Sequence, residues 1–363
     1  MLRIEMLPAR HGDCIFIEYG SAKKTYRMLI DAGPAPTYKD LRERILTIPE
    51  NKRLFELFVI THVDADHIEG AVRLLQDRKL KITYGDIWFN GYQHLQRKRK
   101  EVLGGLQGEY LSSLILKQHL PWNEAFGGES VVVPDEGPLP VHELRGGMKL
   151  TLLSPTWVQL EKMRPRWKKE VEAAGLVPGR PKAKAVEEKL DATKKLQPIL
   201  GEALINVLKL GEKPFKQDTA PANGSSIAFL AEGGGARGIF SGDAYPNVLA
   251  ASLRRLLKNS KKKLELDFFK LPHHGSQSNV SPDLIDMLAC KQYIFSSNGD
   301  LFRHPDRESV ARVILHDRTS PLLWFNYTTK FNDMWGNEKL TTKHKYNVKY
   351  PPKGKDGIVV EIK

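Results

Sequence analysis

Apolar and polar residues alternate along the start of the chain. LRIEML at 2–7, CIFIEYG at 14–20 and TYRMLIDAG at 25–33 carry the two-residue period of half-buried strands, and the turn Pro8–Asp13 separates the first two. Tyr38–Leu46 has helical spacing and predicts a helix covering this meander. LFELFVI at 54–60 is an apolar run of strand length, and IEGAVRLLQ after it sets Ile68, Ala71, Leu74 and Leu75 on one helical face. Strand character returns in DIWFN at 86–90 and MKLTLLSP at 148–155, with a basic, leucine-containing helical stretch at 94–119 between them. From Asn223 the rhythm changes. SSIAFLAEG, the glycine cluster GGGARG at 233–238 and GIFSGDA read as a hairpin, and helices at 248–257, 281–289 and 307–315 then alternate with strands at 266–271 and 293–297. The tail from Leu322 to Lys363 reads as strands and an aromatic-rich loop. A meander followed by alternating strands and helices predicts an α/β fold, a four-layer αββα sandwich.

Residues 156–222 interrupt the rhythm. They are rich in Lys, Glu, Ala and Pro and hold no β-prone run, while RWKKEVEAAGLVPG and KAVEEKLDATKKL are helical in period, with Gly175 and Pro178 as breakers. The expected organisation is a main domain of 1–155 and 223–363 and a charged helical insertion at 156–222. The insertion is a lid, an arm for a protein partner or a solvated helical hairpin.

Composition narrows the class. A chain of 363 residues with 41% hydrophobic and 27% charged residues has the make-up of a soluble globular protein with a large core. No apolar run approaches the roughly 20 residues of a membrane helix, and MLRIEMLPARHGD has no signal-peptide core. Cys14 and Cys290 are far apart in apolar settings, which predicts buried thiols in a reducing cytoplasm. The net charge of +13 is clustered in QRKRK at 96–100, RPRWKK at 164–169 and KNSKKK at 258–263. Such clusters favour a polyanion partner, nucleic acid or anionic headgroups. Trp167 among the cations either stacks a base or anchors the segment.

The candidate chemistry begins at THVDADHIEG, 61–70, where His62, Asp64, Asp66 and His67 fall between an apolar strand and a helix. Ligands this dense repel one another unless a cation sits among them. A helix-capping turn needs one carboxylate and has no use for two flanking histidines. The run resembles the metallo-β-lactamase superfamily signature His-x-His-x-Asp-His, with Asp64 in place of the second histidine. That variant, followed by Ile-x-Gly, resembles the metallo-hydrolase domain of ComEC-type competence proteins and their soluble relatives. Later segments agree with the resemblance: FSGDA at 240–244, LPHHGS at 271–276, NGSS at 223–226, and SSNG with RHP, which carry Asn298 and His304. Gly12-Asp13 and Asp31 match the family's first strands.

The resemblance implies roles. His62 and Asp64 bind a first divalent metal, Asp66 and His67 a second, and Asp243 bridges them. His304 completes the second site. One of His273 and His274 is a ligand or gives a proton to the leaving group. Asp13, Asp31, Ser226 and Asn298 orient the ligands without binding metal, and the reacting centre falls to Asp66, Asp243, His273 and His274. The superfamily's usual histidine before the Gly-Asp has no counterpart, since His142 lies far upstream. Two ions roughly 3.5–4 Å apart activate a water as hydroxide and steady the attacking and leaving oxygens. The extra carboxylate at Asp64 suits Mn²⁺ at least as well as Zn²⁺. The leading expectation is a metal-dependent phosphodiesterase or nuclease. The alternatives are a hydrolase of a small ester, lactone or thioester, and an effector of a multiprotein system such as bacterial defence.

Overall fold

Parallel and antiparallel pairing divide the chain's strands into two principal sheets. The structure is a computed structural model that describes residues 1–21, 23–97, 106–173, 205–258 and 260–362. The first sheet has six strands in the order Ile358–Ile362, Leu2–Met6, Ile15–Ser21, Lys24–Ile30, Leu57–Val59 and Ile87–Trp88. The meander sets Ile4 opposite Ile17 and Ile15 opposite Ile30, and the last two strands join in parallel. The second sheet has eight strands in the order Asn347–Lys349, Leu322–Phe325, Gln292–Phe295, Phe268–Lys270, Ala236–Phe240, Ala228–Gly233, Met148–Ser154 and Val141–Leu144.

The side-chain period of two sorts residues into two cores. Ile15, Ile17, Met28, Ile30, Leu57 and Val59 face the second sheet and meet Leu150, Leu152, Leu230 and Ile239. Their neighbours Phe16, Leu29, Phe58 and Ile60 face outward and meet Ile68, Ala71 and Leu75 of the helix Ala65–Gln76. On the far side of the second sheet, Leu249, Leu253, Val310 and Val313 of two further helices join the first core. Helix, sheet, sheet and helix form the expected αββα order.

Parallel pairing positions the site. Lys24–Ile30 runs parallel to Leu57–Val59, and Ala236–Phe240, Phe268–Lys270 and Gln292–Phe295 run parallel to one another. Within each set the carboxyl ends therefore share one edge, where ligands collect in open α/β sheets.

The run LFELFVI is not one strand. Leu54–Phe55 pairs with Thr83–Tyr84 in a separate two-stranded sheet, and Glu56 between the two pieces is buried against Arg145 at 2.6 Å. Both described ends of the stretch 156–222 are built into the fold. The helix Trp157–Ala173 buries Leu160, Met163, Trp167 and Val171 in the outer core, so Trp167 is an anchor. Val207–Gly211 packs on the helix Arg307–His316, and Ala222 is buried. KAVEEKLDATKKL and residues 98–100 of QRKRK lie outside the described residues. Cys14 and Cys290 are free, buried thiols. Among the described residues no helix is long and apolar enough to cross a membrane.

Candidate metal centre

Five strand ends supply the site. Asp31 ends Lys24–Ile30 in a left-handed conformation, φ 53°, with its N–H donating to Val59 O at 2.8 Å. His62 follows Leu57–Val59, and Asp64 stands at the N-cap of Ala65–Gln76. The Asp64 side chain makes no capping hydrogen bond, so the capping explanation of this carboxylate does not apply. Asp243 follows Ala236–Phe240, His273 and His274 follow Phe268–Lys270, and Ser296 follows Gln292–Phe295. His273 and His274 both take positive φ, 49° and 55°. Each such non-glycine conformation costs about 1–3 kcal/mol and persists only where the surroundings hold it. Gly12 lets the first turn press against the ligand helix, since a Cβ there would lie 1.8 Å from Asp66 O.

Asp243 is the centre of the cluster. His62 Nε2 lies 3.8 Å from its Oδ2 and 3.8 Å from Asp64 Oδ2. His67 Nε2 lies 3.5 Å from Asp243 Oδ1 and 3.7 Å from Asp66 Oδ2. His274 Nε2 stands 3.3 Å from Asp66 Oδ2 and 3.8 Å from Asp243 Oδ2, and His273 Nε2 is also 3.8 Å from Asp243 Oδ2. The donors thus divide into a His62–Asp64 group and an Asp66–His67–His274 group that share Asp243.

The residues behind the donors aim them. His67 Nδ1 donates to Asp31 Oδ2 at 2.7 Å, and Thr61 donates to Asp31 through both its N–H and its hydroxyl at 2.8 Å. With its hydrogen given to Asp31, Thr61 Oγ1 accepts from His62 Nδ1 at 3.0 Å. His274 Nδ1 has Ser296 Oγ at 2.9 Å and Asp13 Oδ1 at 3.3 Å. These acceptors place the hydrogen on Nδ1 of each ring and leave the Nε2 lone pair facing inward. Ser226 Oγ accepts from Asp243 N–H at 3.2 Å.

The donors fit a cation. Nε2 of His62, His67 and His274 and Oδ1 of Asp243 are buried and have no hydrogen-bond partner. One donor atom each of Asp13, His67, Asp243 and His274 lie within 4.8 Å of one another. Within that quartet Asp13 gives Oδ2 to the buried Lys270 ammonium at 2.6 Å, while its Oδ1, without a hydrogen-bond partner, lies 3.3 Å from His274 Nδ1, on the side of the ring away from Asp243, and we assign it a supporting place. Burial opposes charge on every member, and the partners answer it. Against burial, the carboxylates of Asp243, Asp31 and Asp66 push His67 well above the ordinary imidazole range. Against burial, the imidazoles of His67, His273 and His274 hold Asp243 well below the carboxylate range. Burial and the neighbouring His67 push His62 down to about 3, so it offers a neutral lone pair. Burial and Asp66 push Asp64 up to about 6, with the Arg166 guanidinium working against them. Buried anions gathered without matching hydrogen bonds are costly unless a cation joins them, and a divalent ion takes the place of the protons.

Two expected residues sit differently. His304 is buried beside the histidine pair, its ring 5.2 Å from that of His273 and 6.4 Å from that of His274, with Nδ1 3.4 Å from Asp306. Asn298 does not support a ligand, because its amide donates to Asp300 at 2.6 Å in its own loop. His142 packs between Trp88 and Phe126, ring centroids 5.4 and 4.4 Å away. Sequence reading missed Lys270, Asp218 and Asn279, and did not place Arg166 beside Asp64. Lys270 left a signal as a charge directly after Phe268-Phe269 in a strand, where it needs a buried partner, and Arg166 left one only as part of the basic cluster RPRWKK.

An αββα sandwich with a buried His/Asp donor cluster at its strand ends is the class of protein that this fold and site define. No protein-family model and no curated protein matches the chain. Similar solved structures include CmlA, a diiron β-hydroxylase from Streptomyces venezuelae, at 11% identity and TM-score 0.40, over 99% of this chain and 54% of that one. They also include the metallo-β-lactamase fold protein YhfI from Bacillus subtilis, at 11% identity and TM-score 0.38, over 99% of this chain and 100% of that one. A long form RNase Z from yeast is similar at 8% identity and TM-score 0.36, over 81% of this chain and 37% of that one. The chain spans about half the length of CmlA. At these TM-scores the likenesses carry no weight for function, which rests on the site.

Proposed function

We propose that the protein is a metal-dependent hydrolase of the metallo-β-lactamase type, close to the soluble ComEC-like branch, and that it cleaves phosphodiesters, with nucleic acid as the substrate class. The observation that carries the reading is the convergence of His62, His67, His273 and His274 on the Asp243 carboxylate, each with Nε2 within 3.8 Å of it. His62, Asp64, His273 and Asp243 would hold one divalent cation, and Asp66, His67, His274 and Asp243 a second, Zn²⁺ or Mn²⁺. When bound, such ions polarise a phosphoryl oxygen and lower the pKa of water. The chain's own part is to orient the imidazoles through Asp31, Thr61, Ser296 and Asp13. Arg166 brings a guanidinium to 3.8 Å from Asp64 at the edge of the cluster, where it can meet a substrate anion.

The test is a metal-reconstituted assay against single-stranded DNA, double-stranded DNA, RNA and bis(p-nitrophenyl) phosphate. We expect diester turnover with Mn²⁺ or Zn²⁺ and none after chelation. Nucleic-acid affinity should fall steeply with salt, by about 0.9 in log K per log unit of salt for each duplex phosphate engaged. Salt-independent binding, with turnover of carboxylic esters alone, would move the assignment to a small-molecule hydrolase.

Asp64→His replaces the carboxylate by the superfamily's commoner imidazole. The variant should keep bound metal and shift its Mn²⁺-to-Zn²⁺ activity ratio toward zinc, because an oxygen donor favours the harder ion. An unchanged ratio would show that Asp64 is not a ligand.

A further inference from the structure

His273 is braced from behind by a carboxylate that the family resemblance does not cover. Its Nδ1 lies 2.9 Å from Asn279 Oδ1 and 3.5 Å from Asp218 Oδ2. Asp218 accepts hydrogen bonds from Asn223 Nδ2 at 2.7 Å, Asn279 Nδ2 at 3.1 Å and the Ala220 N–H at 2.8 Å. The Asp218 N–H donates to Ser278 O at 3.0 Å, which ties it to the loop carrying the histidine pair. Asn223 Nδ2 approaches His273 Nδ1 as well, at 3.3 Å. A turn-capping aspartate uses one or two backbone N–H groups. Asp218 instead gathers two side-chain amides and an imidazole, and its own side chain is 10% exposed.

The nearest atom to Nδ1 is an acceptor, Asn279 Oδ1, and the Asp218 carboxylate adds negative charge on the same side, while the Asn223 amide is engaged by Asp218 at the shorter distance of 2.7 Å. Nδ1 therefore donates, and the Nε2 lone pair faces Asp243. This pattern repeats that of His67 on Asp31 and of His274 on Ser296 and Asp13. The brace matters more for His273 than for His274. His274 is fully buried, whereas the His273 side chain is 23% exposed and has positive φ.

We propose that Asp218, itself held by the Asn223 amide, is a positioning residue that with Asn279 fixes the tautomer and ring plane of His273 so that Nε2 acts beside Asp243. The proposal rests on the metal-dependent reading above and assigns Asp218, from the stretch predicted as an insertion, to the working site. Acceptors behind a metal-binding imidazole are worth about 10–100-fold in metal affinity or activity.

The experiment uses the full chain reconstituted with Co²⁺, comparing wild type with Asp218→Ala and Asp218→Asn. The readouts are the visible Co²⁺ absorption bands, the Co²⁺ dissociation constant, and kcat and KM on bis(p-nitrophenyl) phosphate. We expect shifted bands, a dissociation constant raised about 10–100-fold, and a kcat that falls while KM stays within a few-fold. Asp218→Asn, of the same shape, should fold as wild type does and show the same changes in smaller measure. Wild-type bands and kcat in folded variants would overturn the proposal while leaving the hydrolase reading intact. A wild-type protein that takes up no cobalt and turns over no diester would overturn both. If Asp218→Ala does not fold, Asp218→Asn decides between these outcomes.

Discussion

Asp243→Ala is expected to leave a folded protein whose diester hydrolysis is reduced about 10³-fold or more. Four imidazole Nε2 atoms lie within 3.8 Å of this one carboxylate, and its Oδ1 has no other partner. Loss of the shared group uncouples both halves of the cluster. Metal catalysis supplies several kcal/mol of charge stabilisation, and about 1.4 kcal/mol corresponds to a factor of ten in rate. The fold should survive, because Asp243 lies beyond the end of Ala236–Phe240 and removes no apolar surface from either core when truncated. The measurement is kcat/KM on bis(p-nitrophenyl) phosphate together with a thermal melt. Turnover near that of wild type would show that Asp243 is not the bridge.

The second large effect is on stability. Lys270 and Asp13 join the two sheets by a fully buried ion pair at 2.6 Å, and Lys270 Nζ also donates to Leu271 O at 3.0 Å. Removing one partner leaves an unpaired buried charge and costs about 3–5 kcal/mol. Lys270→Met should therefore destabilise the metal-free protein by that amount in urea or guanidinium unfolding. Asp13→Asn combined with Lys270→Met should recover most of the loss, since replacing both charges of a buried pair is often near neutral. The double variant should still bind metal more weakly, because Asp13 also stands 3.3 Å from His274 Nδ1. A Lys270→Met protein as stable as wild type would mean that the pair is not formed in solution.

Residues close in sequence were legible, and residues brought together by topology were not. Local periodicity located the meander, the strand before His62 and the helix after it, because each depends on neighbouring side chains. The cluster at 61–67 was visible for the same reason. The split of LFELFVI was hidden, because its two pieces pair with different strands, Thr83–Tyr84 and Lys24–Ile30, that only the fold brings alongside. The stretch 156–222 looked peripheral because its helices are charged. Trp167 and Met163 nevertheless bury one face in the outer core, and Asp218 reaches His273. The resemblance pointed to Asn298 by motif, yet its amide is satisfied within its own loop by Asp300. The choice between His273 and His274 needed burial. His274 is enclosed, and His273 faces the opening with His304 beside it.

The central claim is that this donor cluster exists to hold two divalent cations. Elemental analysis of the full chain after reconstitution with Mn²⁺ or Zn²⁺ and exhaustive buffer exchange tests it most directly. The account predicts about two metal ions per chain in wild type and fewer than one in Asp243→Ala. Wild-type protein that emerges folded and free of transition metal would contradict it.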